Sequence, residues 1–162
     1  MIIFIILIII LIFLIILIIL LTKNRFTQKN GCKNSFTQKN NYQNGGKNIQ
    51  KNILGTELIK CCDATGFNRD GMCASNVTDN GTHIICAIVD DEFLQFTKSK
   101  GNDLITPSGS FTGLVAGDKW CLCILRWIQA HKAGKAPKII PESTNELAIK
   151  YISKDILMQY AI

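Results

Sequence analysis

Twenty consecutive apolar side chains, Ile2 to Leu21, open the chain with no Gly, Pro, polar or charged residue among them. As a helix rising about 1.5 Å per residue the run covers roughly 30 Å, the thickness of a bilayer's hydrocarbon core, so residues 2–21 are expected to form a transmembrane anchor. The run does not have the form of a cleavable secretory signal. No basic residue precedes it, it is too long, and Leu20-Leu21-Thr22-Lys23 offers no small-residue cleavage site. Beyond it the periodicity disappears. Residues 22–52 are mostly Asn, Gln, Lys and Gly, and Phe26-Thr-Gln-Lys-Asn30 recurs as Phe36-Thr-Gln-Lys-Asn40. Two copies do not build a solenoid, and a segment that can bury so little is expected to be a disordered linker.

From Ile53 onward, segments of different period alternate. His83-Ile-Ile-Cys-Ala-Ile-Val89 is a continuous, β-branched apolar run that suits a buried strand. Asp90 or Asp91 then caps a short helix carrying Phe93, Leu94 and Phe96, with Lys98 and Lys100 in its last turn and Gly101 beyond. Gly101 to Gly117 is punctuated by Gly and Pro and reads as loop. After Asp118, expected to cap the next element, Trp120, Ile124, Trp127 and His131 fall at helical spacing as far as Gly134, although Trp120 to Ile124 also suits a strand. Ala136 to Ile140 reads as an edge segment limited by Pro137 and Pro141. Ser143-Thr-Asn-Glu146 has the form of a capping box opening a helix through Leu147 and Tyr151, and Ser153 caps a last helix with Ile156, Leu157 and Tyr160. The expected fold class is α+β: a single small domain over 53–162, with a short sheet and several short helices, behind an N-terminal transmembrane helix and a disordered linker.

Charge sharpens the division. The formal charge is +6, but residues 22–52 hold seven of the 18 basic residues and none of the 12 acidic ones, leaving 11 basic against 12 acidic in the domain. The domain is close to neutral, without the basic face of a nucleic-acid-binding module, and no nucleic acid partner is expected. Seven positive charges behind the span and none before it predict a single-pass membrane protein with its globular domain in the cytoplasm. The same charges bring possible anionic lipid contact by the linker, each contributing on the order of 1 kcal/mol near the surface.

Orientation bears on the cysteines. In a reducing cytoplasm a disulfide framework is disfavoured, which leaves metal binding, thiol chemistry or burial for Cys61, Cys62, Cys73, Cys86, Cys121 and Cys123. Cys61, Cys62, His83 and Cys86 are candidate zinc ligands, although no Cys-x-x-Cys knuckle occurs and Cys86, between Ile85 and Ala87, also suits the core. On a helix, Cys121 and Cys123 point roughly 200° apart and do not share an ion. Cys73, after Arg69-Asp70-Gly-Met72 in a turn, is the more exposed nucleophile candidate, with His83 as its base and Asp70 beside it. Asn76-Val-Thr78 and Asn80-Gly-Thr82 are glycosylation sequons, silent if the domain is cytoplasmic.

The order of motifs adds a resemblance. Asn52-Ile-Leu-Gly55, Cys61-Cys62, Thr65-Gly-Phe-x-Arg-Asp-Gly71 with Cys73, His83-x-x-Cys-Ala87, Phe93-Leu94, Gly101-Asn-Asp-Leu104 with Thr106-Pro107, Gly117-Asp-x-Trp-Cys-Leu-Cys123, Arg126-Trp127 and Ala136-Pro137 together resemble an uncharacterised family, domain of unknown function 2237, across nearly all of 53–162. The resemblance implies a domain boundary rather than an activity. It singles out Arg69, Asp70, His83, Asn102, Asp103 and Asp118 as polar positions that packing alone does not require. Where the family's C-terminal capping segment is expected to carry Thr-His, this chain has Thr144-Asn145. The functional expectation is a membrane-anchored cytoplasmic domain that binds a small ligand or protein partner through a polar pocket around Arg69, Asp70, His83 and Asp103. The alternative is a thiol- or zinc-dependent enzyme using Cys73 or Cys61/Cys62 with His83.

Overall fold

The computed structural model describes residues 11–16 and 49–162. The chain divides into two units, Met1–Asn34 and Ser35–Ile162. Residues 11–16 of the first are helical and exposed. Among the described residues no helix is long and apolar enough to cross a membrane. Most of the expected anchor, the linker up to residue 48 and Cys32 lie outside the described residues.

The second unit is organised by β1 (His83–Ile88), whose four central residues are buried. It is the middle strand of a three-stranded antiparallel sheet, flanked by β2 (Lys119–Cys123) and β3 (Lys138–Ile139) in the order β2-β1-β3. A strand covered on both faces needs no polar alternation, which is why its sequence is one apolar run. The two-residue β3 follows Pro137 at the sheet edge, where a missing N–H costs no ladder bond. Helix α1 (Asp91–Ser99) follows β1 at once. Asp90 caps it by accepting the Phe93 amide at 2.7 Å, and Phe93 and Leu94 are buried beneath it.

The segment after Asp118 departs from the helical expectation. Lys119–Cys123 is strand, pairing Trp120 with Ala87, Cys121 with Cys86 and Leu122 with Ile85, and only then does α2 (Ile124–Lys132) begin. Cross-strand pairing with an already buried β1 overrides the helical spacing of the first turn, so Trp120 belongs to the ladder while Ile124 and Trp127 belong to the helix. Asp118 caps no helix; it accepts the Val115 amide in the turn before β2. The capping box shifts as well. Asn145, not Ser143, caps a 3-10 turn (Glu146–Lys150) by accepting the Leu147 amide, while Ser143 ends a preceding 3-10 turn (Pro141–Ser143) and donates its hydroxyl to the Lys60 carbonyl. Ser153 caps α3 (Lys154–Gln159) as expected.

Ile85, Ala87, Phe93, Leu94, Leu122, Ile124, Trp127, Ile139 and Leu157 share one core. Trp127 keeps its indole N–H satisfied on the Pro137 carbonyl at 3.2 Å and stacks on His131, whose Nδ1 meets the Tyr160 hydroxyl at 3.0 Å. The fold begins before Ile53. Asn52 is 1% exposed, and its side chain accepts the Leu54 and Thr56 amides while donating to Thr56 Oγ1 and the carbonyls of Glu57 and Glu142. Three residues of the expected linker, Gln50 to Asn52, thus belong to the domain.

Candidate thiol site

Of the six cysteines expected to be reduced, four are paired with one another. Cys61 is joined to Cys86 and Cys73 to Cys121, with Cα separations of 5.7 and 5.3 Å. Cys62 is engaged in a disulfide too. The expectation of free thiols rested on compartment alone; geometry decides differently, because Cys86 and Cys121 sit directly opposite each other on β1 and β2 and the 61–73 loop crosses that face of the sheet. Cys73 is therefore not an exposed turn nucleophile. It is fully buried, as are Cys86 and Cys121 to within 1%. Gly66 (φ +81°) and Gly71 (φ +90°) let the loop fold this tightly, since a Cβ on either would strike backbone carbonyls, Met72's for Gly66 and Cys62's for Gly71. Two buried threonines finish the packing. Thr65 Oγ1 accepts the Cys121 amide at 2.8 Å, and Thr144 Oγ1 accepts the Cys86 amide at 3.2 Å.

Among the described residues the free cysteine is Cys123, which is partly exposed. Cys123 is the last residue of β2, the N-cap of α2, and the register partner of His83. The pairing depends on an irregularity. Between His83 and Ile85 the register shifts, two steps on β1 matching one on β2. In a regular strand His83 and Cys86, three apart, face opposite sides; the bulge absorbs one residue and brings His83 to the side occupied by Cys86 and Cys121. Directly paired side chains in an antiparallel ladder share a face with Cβ atoms about 5 Å apart, so His83 and Cys123 are cross-strand neighbours on one face of the sheet.

His83 is in turn held by Asp79. Its Nδ1 lies 2.8 Å from Asp79 Oδ1, and the same carboxylate accepts the amides of Gly81 at 3.0 Å, Thr82 at 3.0 Å and His83 itself at 2.7 Å. The Asp79 side chain is 1% exposed and that of His83 38%. Burial pushes the Asp79 pKa up, but the His83 amide, the His83 ring and its charge, and the Thr82 amide together outweigh it and hold the carboxyl below its ordinary value. An ionised Asp79 accepting from Nδ1–H leaves the lone pair on Nε2. Imidazole and carboxylate thus form a pair that runs from the half-buried ring to the buried Asp79, with Cys123 in register beside the histidine's backbone. The α2 N-terminus adds its positive dipole end to the thiol, and Cys123 supplies no side-chain cap to the first-turn amides.

The other positions singled out by sequence have local duties. Arg69 (φ +59°) lies over the Trp120 ring at 5.0 Å. Asp70 accepts the Met72 amide in its own turn. Asn102 donates to Thr97 Oγ1 at 2.8 Å. Asp103 accepts the Ile105 and Thr106 amides and the Thr106 hydroxyl and pairs with Lys98, and the Thr106 bonds, first its amide, hold the carboxyl well below the usual carboxylate range. These contacts run to neighbours in their own turns, to the end of α1 or to Trp120, and do not join Arg69, Asp70, His83 and Asp103 to one another. Of the expected zinc set, Cys61 and Cys86 come together, while His83 is committed to Asp79. A cleft of about 400 Å³ lies elsewhere, lined by Gln50, Ser75, Asn145 and Glu146 to Lys150 apart from Ala148. Asn145, the departure from Thr-His, is in its wall, donating to Gln50 Oε1, which also accepts the Ser75 amide and hydroxyl. Asp79 and Cys123 are the residues sequence reasoning missed as site members. Asp79-x-Gly-x-His83 in front of a strand is the signal that was available; the pairing with Cys123 has none.

Fold and site define a small α+β domain, stapled by buried disulfides, whose free cysteine among the described residues pairs in register with a carboxylate-anchored histidine. The chain belongs to the DUF2237 family, described as an uncharacterized protein conserved in bacteria, whose model matches residues 51–161. No curated protein matches it.

Proposed function

We propose that the domain is a thiol-dependent enzyme of the acyl-transfer class, with Cys123 as nucleophile, His83 as general base and acid, and Asp79 as the group that fixes the histidine's tautomer. The observation that carries this reading is the Cys123–His83 register pair with Asp79 on the far ring nitrogen. His83 Nε2 takes the Cys123 proton, the sulfur attacks the carbonyl carbon of a thioester or activated ester, and the carbonyl π pair moves onto oxygen. The Ile124 amide donates to the Thr82 carbonyl, so on this reading the later first-turn amides of α2 stabilise that oxygen. Collapse expels the leaving group, which takes the proton from His83 and leaves an acyl-Cys123 thioester for water or an amine to resolve.

The test is acylation of the full chain in mild detergent by a chromogenic ester, followed by peptide mass analysis. The acyl mass is expected on Cys123, with a loss of about 100-fold or more in acylation rate for His83→Gln. A Cys123 that reacts no faster than a free cysteine peptide, and equally fast in His83→Gln, refutes the reading.

A second reading, a non-enzymatic binding domain for a small polar ligand or peptide, is favoured by the cleft at Gln50, Ser75 and Asn145, whose volume falls within the range of ligand sites. On either reading residues 2–21 deliver the domain to the cytoplasmic face of a membrane. Labelling of an added cysteine near Ile162 from one side of sealed vesicles tests that placement.

A further inference from the structure

The Cys61, Cys73 and Cys86 sulfurs lie within 4.8 Å of one another, and Cys121 is bonded to Cys73. All four cysteines are at most 6% exposed and pack as one cluster, with Ile140 against it. We propose that these four side chains are a metal site in waiting: in a reducing environment they open into a tetrathiolate that binds one soft divalent ion of the zinc class.

Tetrahedral thiolate coordination places sulfurs about 2.3 Å from the ion, hence about 3.8 Å from each other. Opening each bonded pair to that separation and drawing the Cys121 sulfur in toward the other three completes the tetrahedron, and the ligands come from positions that the fold already fixes. Cys86 and Cys121 are opposite residues of one ladder, each with its amide tied to a buried threonine hydroxyl, while the Cys61 amide is held by the Gly71 carbonyl at 2.9 Å. Cys61 and Cys73 bracket the loop that crosses them. The set differs from one read off sequence neighbours: Cys62 and His83 are outside it, and Cys73 and Cys121 are in. Apolar walls exclude water, which favours soft ligands holding a soft ion over a hydrated cation.

The chemistry balances with a dithiol as reductant. Each disulfide takes two electrons and two protons, and the reductant leaves as its own disulfide. The four thiols then release four protons as four sulfur–metal bonds form, so binding weakens as pH falls. The same four residues thus staple the domain by disulfides under oxidising conditions and by a metal under reducing ones, which removes the conflict between buried disulfides and a cytoplasmic domain. The proposal is independent of the role of Cys123.

The experiment uses the full chain in mild detergent, reduced, stripped of reductant under anaerobic conditions and titrated with Co²⁺ and then Zn²⁺. The expected result is one Co²⁺ per chain, with thiolate-to-cobalt charge transfer and intense tetrahedral d–d absorption, displaced by one Zn²⁺. The thermal transition weakened by reduction returns on metal binding. Cys123→Ser binds as the parent does, whereas Cys121→Ser loses affinity by more than the 10- to 100-fold typical of an outer-sphere partner. Because a serine variant that fails to fold mimics loss of a ligand, Cys73→His serves as the second variant and is expected to keep the ion with a spectrum shifted by one nitrogen ligand. Sub-stoichiometric cobalt in the reduced parent, metal that does not restore the thermal transition, or unchanged binding in Cys121→Ser each overturns the proposal.

Discussion

Replacing Asp79 by Asn tests the loop and the proposed chemistry at once. The carboxylate accepts three amides and the His83 ring, and its side chain is 1% exposed. The ring contact contributes the smaller share, because the His83 side chain is 38% exposed and the attraction is screened by solvent. The Thr82 amide has a second acceptor in the Asp79 carbonyl, so the Gly81 and His83 amides depend most on the side chain. Asn keeps an oxygen for them but loses the charge, and charged acceptors are worth about 1.5–3 kcal/mol per bond against about 1 for neutral ones. With two such bonds weakened, the expected loss at pH 7 is about 1–3 kcal/mol.

The pH dependence has a definite sign. The folded Asp79 pKa is depressed below its ordinary 3.8, so its contribution is fully present above that unfolded value and is lost as pH falls through the lower folded one. Urea unfolding of parent and Asp79→Asn chains should therefore differ at pH 7 and converge in acid. The tautomer is a separate readout: an Asn amide donating to Nδ1 moves the ring proton to Nε2, and Cys123 alkylation at neutral pH should slow. Equal stability at pH 7, or a gap that persists unchanged below pH 3, would falsify the account of Asp79.

Three further outcomes follow from the same geometry. Cys73→Ser opens a 48-residue link and Cys61→Ser a 25-residue one; in oxidised protein each should lower stability by about 3–4 kcal/mol in urea, and the double variant by less than the sum because the two loops overlap. Gly66→Ala combines positive φ with a Cβ aimed at the Met72 carbonyl and should cost about 2–3 kcal/mol by thermal unfolding, whereas Gly117→Ala, equally positive in φ but with open space around it, should cost about 1 kcal/mol. Asn52→Leu removes a buried hub of five hydrogen bonds and should cost about 3–4 kcal/mol; a loss below 1 kcal/mol shows that water replaces the hub.

Much of the fold was legible where one residue type does one local job. The run around Ile84 to Val89, the Asp90 cap and the Ser153 cap appear where their side-chain chemistry puts them. Legibility failed where two local preferences compete. Trp120 satisfies helical spacing with Ile124 and strand pairing with Ala87 equally well on paper, and only an available β1 edge resolves it. Ser143 and Asn145 are both good caps, and the bond from Ser143 to the Lys60 carbonyl, 83 residues away, assigns the cap to Asn145.

The site divides along the same line. His83 and the cysteines were visible as reactive types, and the family match over 51–161 bears out the resemblance that marked them. Their partners were not visible, because pairing is a property of register. A strand's side-chain period is two, so one extra residue at the β1 bulge exchanges which face His83 occupies and with it the cysteine it shares that face with. By itself the sequence determined that the chain has an apolar first segment, a basic acid-free stretch and a near-neutral α+β domain, since hydropathy, charge and period are carried by each residue alone. Tertiary structure decided which four cysteines are buried together and which one stays free in register with a histidine, because a sulfur's fate depends on what the fold places next to it.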